Sequence, residues 1–253
     1  MSTLKFDPNP RAVINPEDHF HKIDGMPKTI VSCFPLNLIE YAVQKYGAME
    51  IAQIKGANGV VPVYRLPGMD VGLVMALVGA PNVVSEFENL FAYGAERILV
   101  FGTCGVLNRE LADCAIIIPD CAVRDEGTSR HYAPESDEIA ANVKSLDMLT
   151  GFFASKGLSH TVGKVWTTDG FFRETPALVA ERKAQGCVAV EMECAALAAL
   201  AQFRGKPIAQ FIYAADNLDA EVWDERSLSN HANVDTKQLL MDLAIELAQF
   251  WQG

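Results

Sequence analysis

Glu191 and Glu193 flank Met192 in the stretch Val188-Ala-Val-Glu-Met-Glu-Cys-Ala-Ala-Leu197. Apolar residues lead into the pair and a run of Ala and Leu follows it. Residues 188–190 read as a short buried strand. Residues 193–203 read as a helix that is apolar nearly all round and must therefore be buried. Carboxylates rarely enter such surroundings without partners. Two readings stay open. Glu193 belongs to the helix's first turn, where a negative charge suits the positive end of the dipole. Alternatively, the acids line a pocket, since two of them around a Met exceed what capping needs. Two carboxylates can accept from the vicinal hydroxyls of a sugar such as ribose.

Three other strand ends carry chemistry, and in open α/β sheets ligands gather beyond the carboxyl ends of strands. Asp216 follows an apolar strand. It either caps a turn or, if partly desolvated, has a raised pKa and serves as a general acid. A purine leaving a sugar needs such a proton on its ring nitrogen. Asp169-Gly-Phe-Phe-Arg173 sets two aromatics beside a charge pair. Phe171 would stack on a flat heterocycle while Arg173 binds a carbonyl, or both rings are core. Gly102-Thr-Cys-Gly105 lets the backbone approach a ligand, and Thr103 adds a hydroxyl. A plain strand-end turn would look the same. A diol on the glutamates, a flat base on a Phe and an acid nearby describe a nucleoside site.

The elements that position these residues alternate between strand and helix. Strands are predicted at 29–32, 71–78, 98–101, 115–118, 161–168 and 207–213, with a hairpin across 51–66 turning at Asn58-Gly59. The run 71–78 is apolar throughout, as in a strand buried on both faces. Helices are predicted at 36–46, 83–93, 138–156, 176–185 and 234–250, and 124–132 reads as a polar loop. The pattern gives a three-layer α/β fold with a central mixed, largely parallel sheet flanked by helices. Residues 1–28, rich in Pro, Asn, Asp and His, read as an arm laid over a surface, and 29–253 as a single domain.

Half of the 253 residues are apolar and 21% are charged, with a net charge of −11. That charge argues against nucleic acid or an anionic membrane as partner, since both need basic patches. No apolar run approaches the length of a membrane span, and the N-terminus has no signal-peptide core. Six cysteines without CxxC spacing read as buried thiols of a reducing cytosol, so a cytoplasmic protein is expected. No metal and no cofactor is expected.

Val190-Glu-Met-Glu-Cys-Ala-Ala resembles the signature of the purine/uridine nucleoside phosphorylase superfamily. Gly102-Thr-Cys-Gly105 is similar to that family's glycine-rich strand end. Arg124-Asp-Glu-Gly-Thr-Ser-Arg-His-Tyr-Ala-Pro134 and Thr167-Thr-Asp-Gly-Phe-Phe172 resemble its uridine phosphorylase branch. The resemblance implies that Met192 and Glu193 hold the ribose, with Glu191 beside them and Thr103 touching ribose or phosphate. It implies that Cys104, Gly105 and Val190 flank the base, Phe171 stacks on it, and Asp216 and Arg173 serve the departing base. The step of 23 residues from Glu193 to Asp216 matches the purine branch. The family is built from dimers, often assembled as hexamers. A neighbour lends a histidine to the ribose, which His19 or His21 would supply.

The acceptor end departs from the pattern. Where the family has a Gly-Asp-Pro-x-Arg turn, this chain has Cys33-Phe-Pro-Leu-Asn37, and Val100 replaces a second arginine. At ~1.5–3 kcal/mol per charge-assisted bond, losing two guanidiniums costs phosphate about two to four decades in affinity. The implied acceptor pocket is Cys33, Phe34, Asn37, Val100, Gly102 and Thr103. Three readings follow: a nucleoside phosphorylase with a remodelled phosphate site, a nucleosidase using water, and a non-catalytic nucleoside-binding protein.

Overall fold

A computed structural model describes residues 6–57, 59–229 and 231–252. The start of the expected arm (residues 1–5), Asn58 of the expected hairpin turn, Asn230 and Gly253 lie outside the described residues. After a short helix α1 (Pro16–His19) come β1 (Thr29–Cys33), α2 (Leu36–Tyr46), β2 (Met49–Gly56), β3 (Gly59–Arg65), β4 (Val71–Met75) and α3 (Ala80–Tyr93). Next are β5 (Arg97–Val106), β6 (Ile116–Asp125), α4 (Ser129–Tyr132), β7 (Glu138–Ala140), α5 (Leu146–Ser155) and β8 (His160–Thr168). The chain ends with α6 (Pro176–Ala184), β9 (Cys187–Glu191), α7 (Cys194–Arg204), β10 (Ile208–Asn217) and α8 (Val234–Phe250).

The strands form one mixed sheet, parallel where β4, β1, β5 and β10 lie side by side. The antiparallel β2–β3 hairpin extends one side. On the other side β9, β8 and β6 lead round to β10, so five strands close into a ring through β5. Helices α2, α5 and α8 cover one face, with Leu38, Phe153 and Met241 packed on Phe101 and Phe211. On the other face α3 and α7 bury Phe87, Leu90, Leu197 and Leu200. The alanine-rich α7 also presents Ala195 and Ala198 to the ring strands, where small side chains let it sit close. No helix among the described residues is long and apolar enough to cross a membrane.

The predicted helix over 138–156 is corrected: β7 pairs with β6 and only Leu146–Ser155 is helical. Asn142 decides this. It adopts a left-handed backbone with φ 52°. Its buried amide donates to the carbonyls of Pro119 and Gln210 and accepts from the Gln210 N–H. These long-range bonds compete successfully with a continuing helix. The strand predicted at 115–118 runs on to Asp125, into the segment read as a polar loop, because Ala122 and Val123 are core and the strand pairs on both edges. The described part of the arm lies on α3 and α7 of its own chain. Phe20 meets Tyr93 edge-on, Phe6 meets Phe203, and Arg204 donates to the Pro10 carbonyl.

Candidate functional site

The site is a split in the sheet. On one edge of β5, β1 pairs with Arg97 to Phe101 and β9 pairs with Gly105 and Val106. Gly102, Thr103 and Cys104 are left between the two. There β1 ends and Phe34 turns away, while β9 arrives from the opposite direction and ends at Glu191. Such a divergence of neighbouring strands is where α/β sheets open a crevice.

The two glutamates divide their work. Glu191 Oε1 accepts from the Thr167 hydroxyl at 2.5 Å, and Oε2 accepts from the backbone N–H groups of Glu193 and Cys194 at 2.7 and 2.6 Å. Glu191 therefore satisfies the first turn of α7, the task that sequence reading offered to Glu193. Glu193 stands at the N-cap position without capping by its own side chain. Its Oε1 instead accepts from the N–H of Gly79, where the chain enters α3, at 2.6 Å. Both carboxyls are buried at 8% exposure, and burial raises both above the usual carboxylate range, with the charge of Glu191 raising Glu193 further.

Glu191 and Glu193 line a cavity with Thr103, Gly102, Phe34, Val100, Leu197 and Gln210. Its volume is about 20 Å³, room for one water molecule. The Phe34 ring lies over Gly102, and a Cβ there would meet it at 2.5 Å. Among the described residues, no Lys or Arg lines this cavity. Cys33 and Asn37 do not line it either. The Cys33 side chain points to the opposite face, into the core with Phe101, and Asn37 sits in the first turn of α2.

At the far end of the split a β-bulge acts on Asp216. The register of β10 on β5 shifts between Ala214 and Asp216, so Asp216 falls opposite Gly105. Without the extra residue it would fall opposite Val106, with its side chain on the other face. A Cβ on Gly105 would meet the Leu218 side-chain tip at 2.3 Å and both Asp216 Oδ1 and Val190 at 3.2 Å, so a larger residue there would have to displace these side chains. Asp216 is 8% exposed, and burial raises its carboxyl above the ordinary aspartate range. Its Oδ2 accepts from the Trp223 indole N–H at 2.8 Å. Cys104, between Asp216 and Glu191, is a buried thiol raised by desolvation and by both charges.

The remaining predicted residues sit further out. Phe171 and Phe172 are exposed and tilted against one another with centroids 3.9 Å apart, so neither is core. Arg173 is exposed beside them, and Met192 is half-buried. His19 and His21 are exposed on the arm, which docks at the Tyr93 end of α3, whereas Glu193 contacts the Gly79 end. Fourteen helical residues separate those ends, roughly 20 Å. Neither histidine reaches this chain's own Glu193. The segment following β6 supplies Gly127, Thr128, His131 and Tyr132 to a wider hollow of about 430 Å³, which Asp169 also lines.

Sequence reading missed Trp223, Gln210, Gly79 and Glu174. Glu174 is pushed up to about 7 by burial and by the charge of Asp216, which places it at the same end of the split. A tryptophan set among acids in the polar segment after β10 was a signal for the first. The others show none, because their roles arise from contacts distant in sequence.

The sequence model of the phosphorylase superfamily matches residues 31–245. The chain belongs to this superfamily. A guanosine phosphorylase of Halorubrum lacusprofundi is 28% identical over 138 residues, 54% of this chain and 57% of that relative, so the match spans little more than half the relative's length. A DeoD-type purine nucleoside phosphorylase of Bacillus cereus is 29% identical over 167 residues, 65% of this chain and 70% of the relative. Among solved structures, a uridine phosphorylase of Vibrio fischeri superposes over all of both chains with a TM-score of 0.72 at 18% identity. An AMP nucleosidase of Bacteroides thetaiotaomicron covers 88% of each chain with a TM-score of 0.70 at 20% identity. At these identities the structures establish the shared fold of this superfamily member.

Proposed function

We propose that this chain is a nucleoside phosphorylase-like enzyme that cleaves the N-glycosidic bond of a purine or pyrimidine nucleoside, with phosphate as acceptor. The observation that carries the reading is the arrangement of Glu193 and Asp216 at the two ends of one split in the sheet. Each is buried, and each has acceptor capacity left after its protein partner is counted. In this reading Glu193 and Met192 hold the ribose diol, with Thr103 and Glu191 behind them. Val190, Cys104 and Gly105 flank the base, Phe171 stacks on it, and Arg173 reaches its carbonyl. Asp216 gives its proton to the leaving base. His19 or His21 serves the ribose of a neighbouring subunit, consistent with their distance from the Glu193 of their own chain. This implies a homodimer or homohexamer with sites at subunit interfaces, working in the cytoplasm. The arm, residues 1–28, then belongs to the assembly and 29–253 to the catalytic domain.

A second reading, with water as acceptor, draws on a specific observation. Phe34 covers Gly102, and the cavity beneath has room for one water among two carboxylates, Thr103, Gln210 and apolar side chains. A phosphate dianion there would need a guanidinium brought by another element or subunit. The deciding experiment is base release from purine and pyrimidine nucleosides with and without millimolar phosphate, with analysis of the sugar product. Phosphate-dependent release with a sugar 1-phosphate supports the first reading. Free sugar formed independently of phosphate supports the second. Tight binding with no turnover would leave a nucleoside-binding protein.

A further inference from the structure

Trp223 stands in the segment between β10 and α8, yet its indole N–H reaches back seven residues to Asp216. The segment is held in place from several sides. Asn217 and Asp224 form a two-residue bridge, and the Ser227 N–H donates to the Ala215 carbonyl. Lys237, buried in α8, donates to the carbonyls of Ser227 and Ser229. Trp223 as a residue is 57% exposed. A tryptophan so placed contributes little core burial, and its directed interaction is the bond to Asp216.

An indole N–H only donates. Its bond to Oδ2 therefore cannot be made by an Oδ2 that points a proton at it. When Asp216 is neutral, its hydroxyl proton belongs on Oδ1, the oxygen beside Gly105 and Val190, which accepts no hydrogen bond from the described residues. We propose that Trp223 is the positioning residue for the general acid: it reserves Oδ2 as an acceptor and so presents the proton of Asp216 on Oδ1, toward the leaving base. The inference rests on the nucleoside-cleaving reading above. In the step, the C1′–N bond breaks and its electron pair goes to the base. A ring nitrogen of the base takes the Oδ1 proton, and the acceptor oxygen bonds to C1′. The proton that this oxygen loses, from water or hydrogen phosphate, restores Asp216 through solvent.

The charged and titratable groups around Asp216 are Glu174 before α6, Asp224 and Arg226 in its own covering segment, and the Cys104 thiol on β5. Trp223 opposes the effect of burial on Asp216. Trp223→Phe, which keeps the ring and removes the donor, moves the alkaline limb of the kcat profile to higher pH. Its kcat on ordinary purine nucleosides falls about tenfold while KM changes less than about twofold. A 7-methylated purine nucleoside already carries the positive charge that protonation would create. Its turnover loses at least about fivefold less than that of the unmethylated substrate. Trp223→His, which restores a ring N–H, recovers part of the loss. An unmoved pH limb, or equal losses on methylated and unmethylated substrates, overturns the proposal. If the wild-type protein releases base from neither substrate, the nucleoside-cleaving reading itself fails, which is a distinct outcome.

Discussion

Glu193 and Glu86 are both buried carboxyls, and each takes a backbone N–H from the same connection between β4 and α3. Glu193 accepts from Gly79 at 2.6 Å and Glu86 from Leu77 at 2.9 Å. Burial raises both. The difference lies in what the second side of each carboxyl faces. Glu193 looks into the cavity with Thr103 and Gln210. Glu86 Oε1 has no partner among the described residues and sits where α3 packs Val83, Val84 and Phe87 into the core. Two acids that bind one connector thus differ: in the proposed reading Glu193 offers its spare acceptor capacity to a ligand, whereas Glu86 ties the connector to α3. Burial of a carboxylate does not by itself mark a functional residue; the cavity on its open side is what makes Glu193 the candidate.

The largest expected effect tests that distinction directly. Glu193→Gln keeps an acceptor for Gly79 but removes the charge that two ribose hydroxyls would bind. At ~1.5–3 kcal/mol per charge-assisted bond, kcat/KM falls on the order of 10³-fold. Thermal unfolding stays close to that of the wild type. A fully active variant would remove Glu193 from the site and erase the contrast with Glu86. Asp216→Asn comes next, with about a 100-fold loss on purine nucleosides and little on pyrimidine ones. Equal loss on both, measured side by side by release of base, would mean that Asp216 does not act as a base-specific acid.

The proposed acceptor end sharpens the comparison further, because Phe34 and Val100 line it and no Lys or Arg among the described residues does. Phe34→Ala with Val100→Arg clears the space over Gly102 and supplies one guanidinium. The double variant is expected to raise the stimulation of base release by phosphate about 10- to 100-fold, the range of one charge-assisted pair. No increase would show that Phe34 and Val100 do not set the acceptor.

How much of this was legible in the sequence follows from the range of each interaction. The Glu-Met-Glu triplet could be read because its meaning is local: a buried strand, two acids and a buried helix lie within a dozen residues. Asp216 was legible as an acid at a strand end, but the bulge that turns it toward Gly105 was not, since a bulge is defined against a partner strand. Which glutamate caps α7 depended on Thr167 and Gly79, 24 and 114 residues away from their respective partners. The misread helix over 138–156 failed for the same reason: the Asn142 bonds to Gln210 span 68 residues. The chain shows acids and their neighbours along the sequence, whereas the donors that decide their roles come from elsewhere.

The smallest expected effect on activity isolates Glu86. Its carboxyl is pushed up to about 8 from an ordinary 4.5, because burial outweighs the Leu77 hydrogen bond. Below about pH 4.5 the folded and unfolded forms both hold the proton, and the group has no influence on the pH dependence. Between roughly 4.5 and 8 the unfolded chain gives up a proton that the folded protein keeps, so stability falls as pH rises, by at most about 1.4 kcal/mol per pH unit. Glu86→Gln retains an acceptor for Leu77 and does not titrate. It should nearly match the wild type in thermal unfolding near pH 5 and unfold higher near pH 8.5, by up to about 10–20 °C at ~2–4 °C per kcal/mol for a chain of this size. Base release should be unaltered at either pH. A loss of activity in this variant, with stability unchanged, would move Glu86 to the ligand side of the comparison and extend the site along the whole β4–α3 connection.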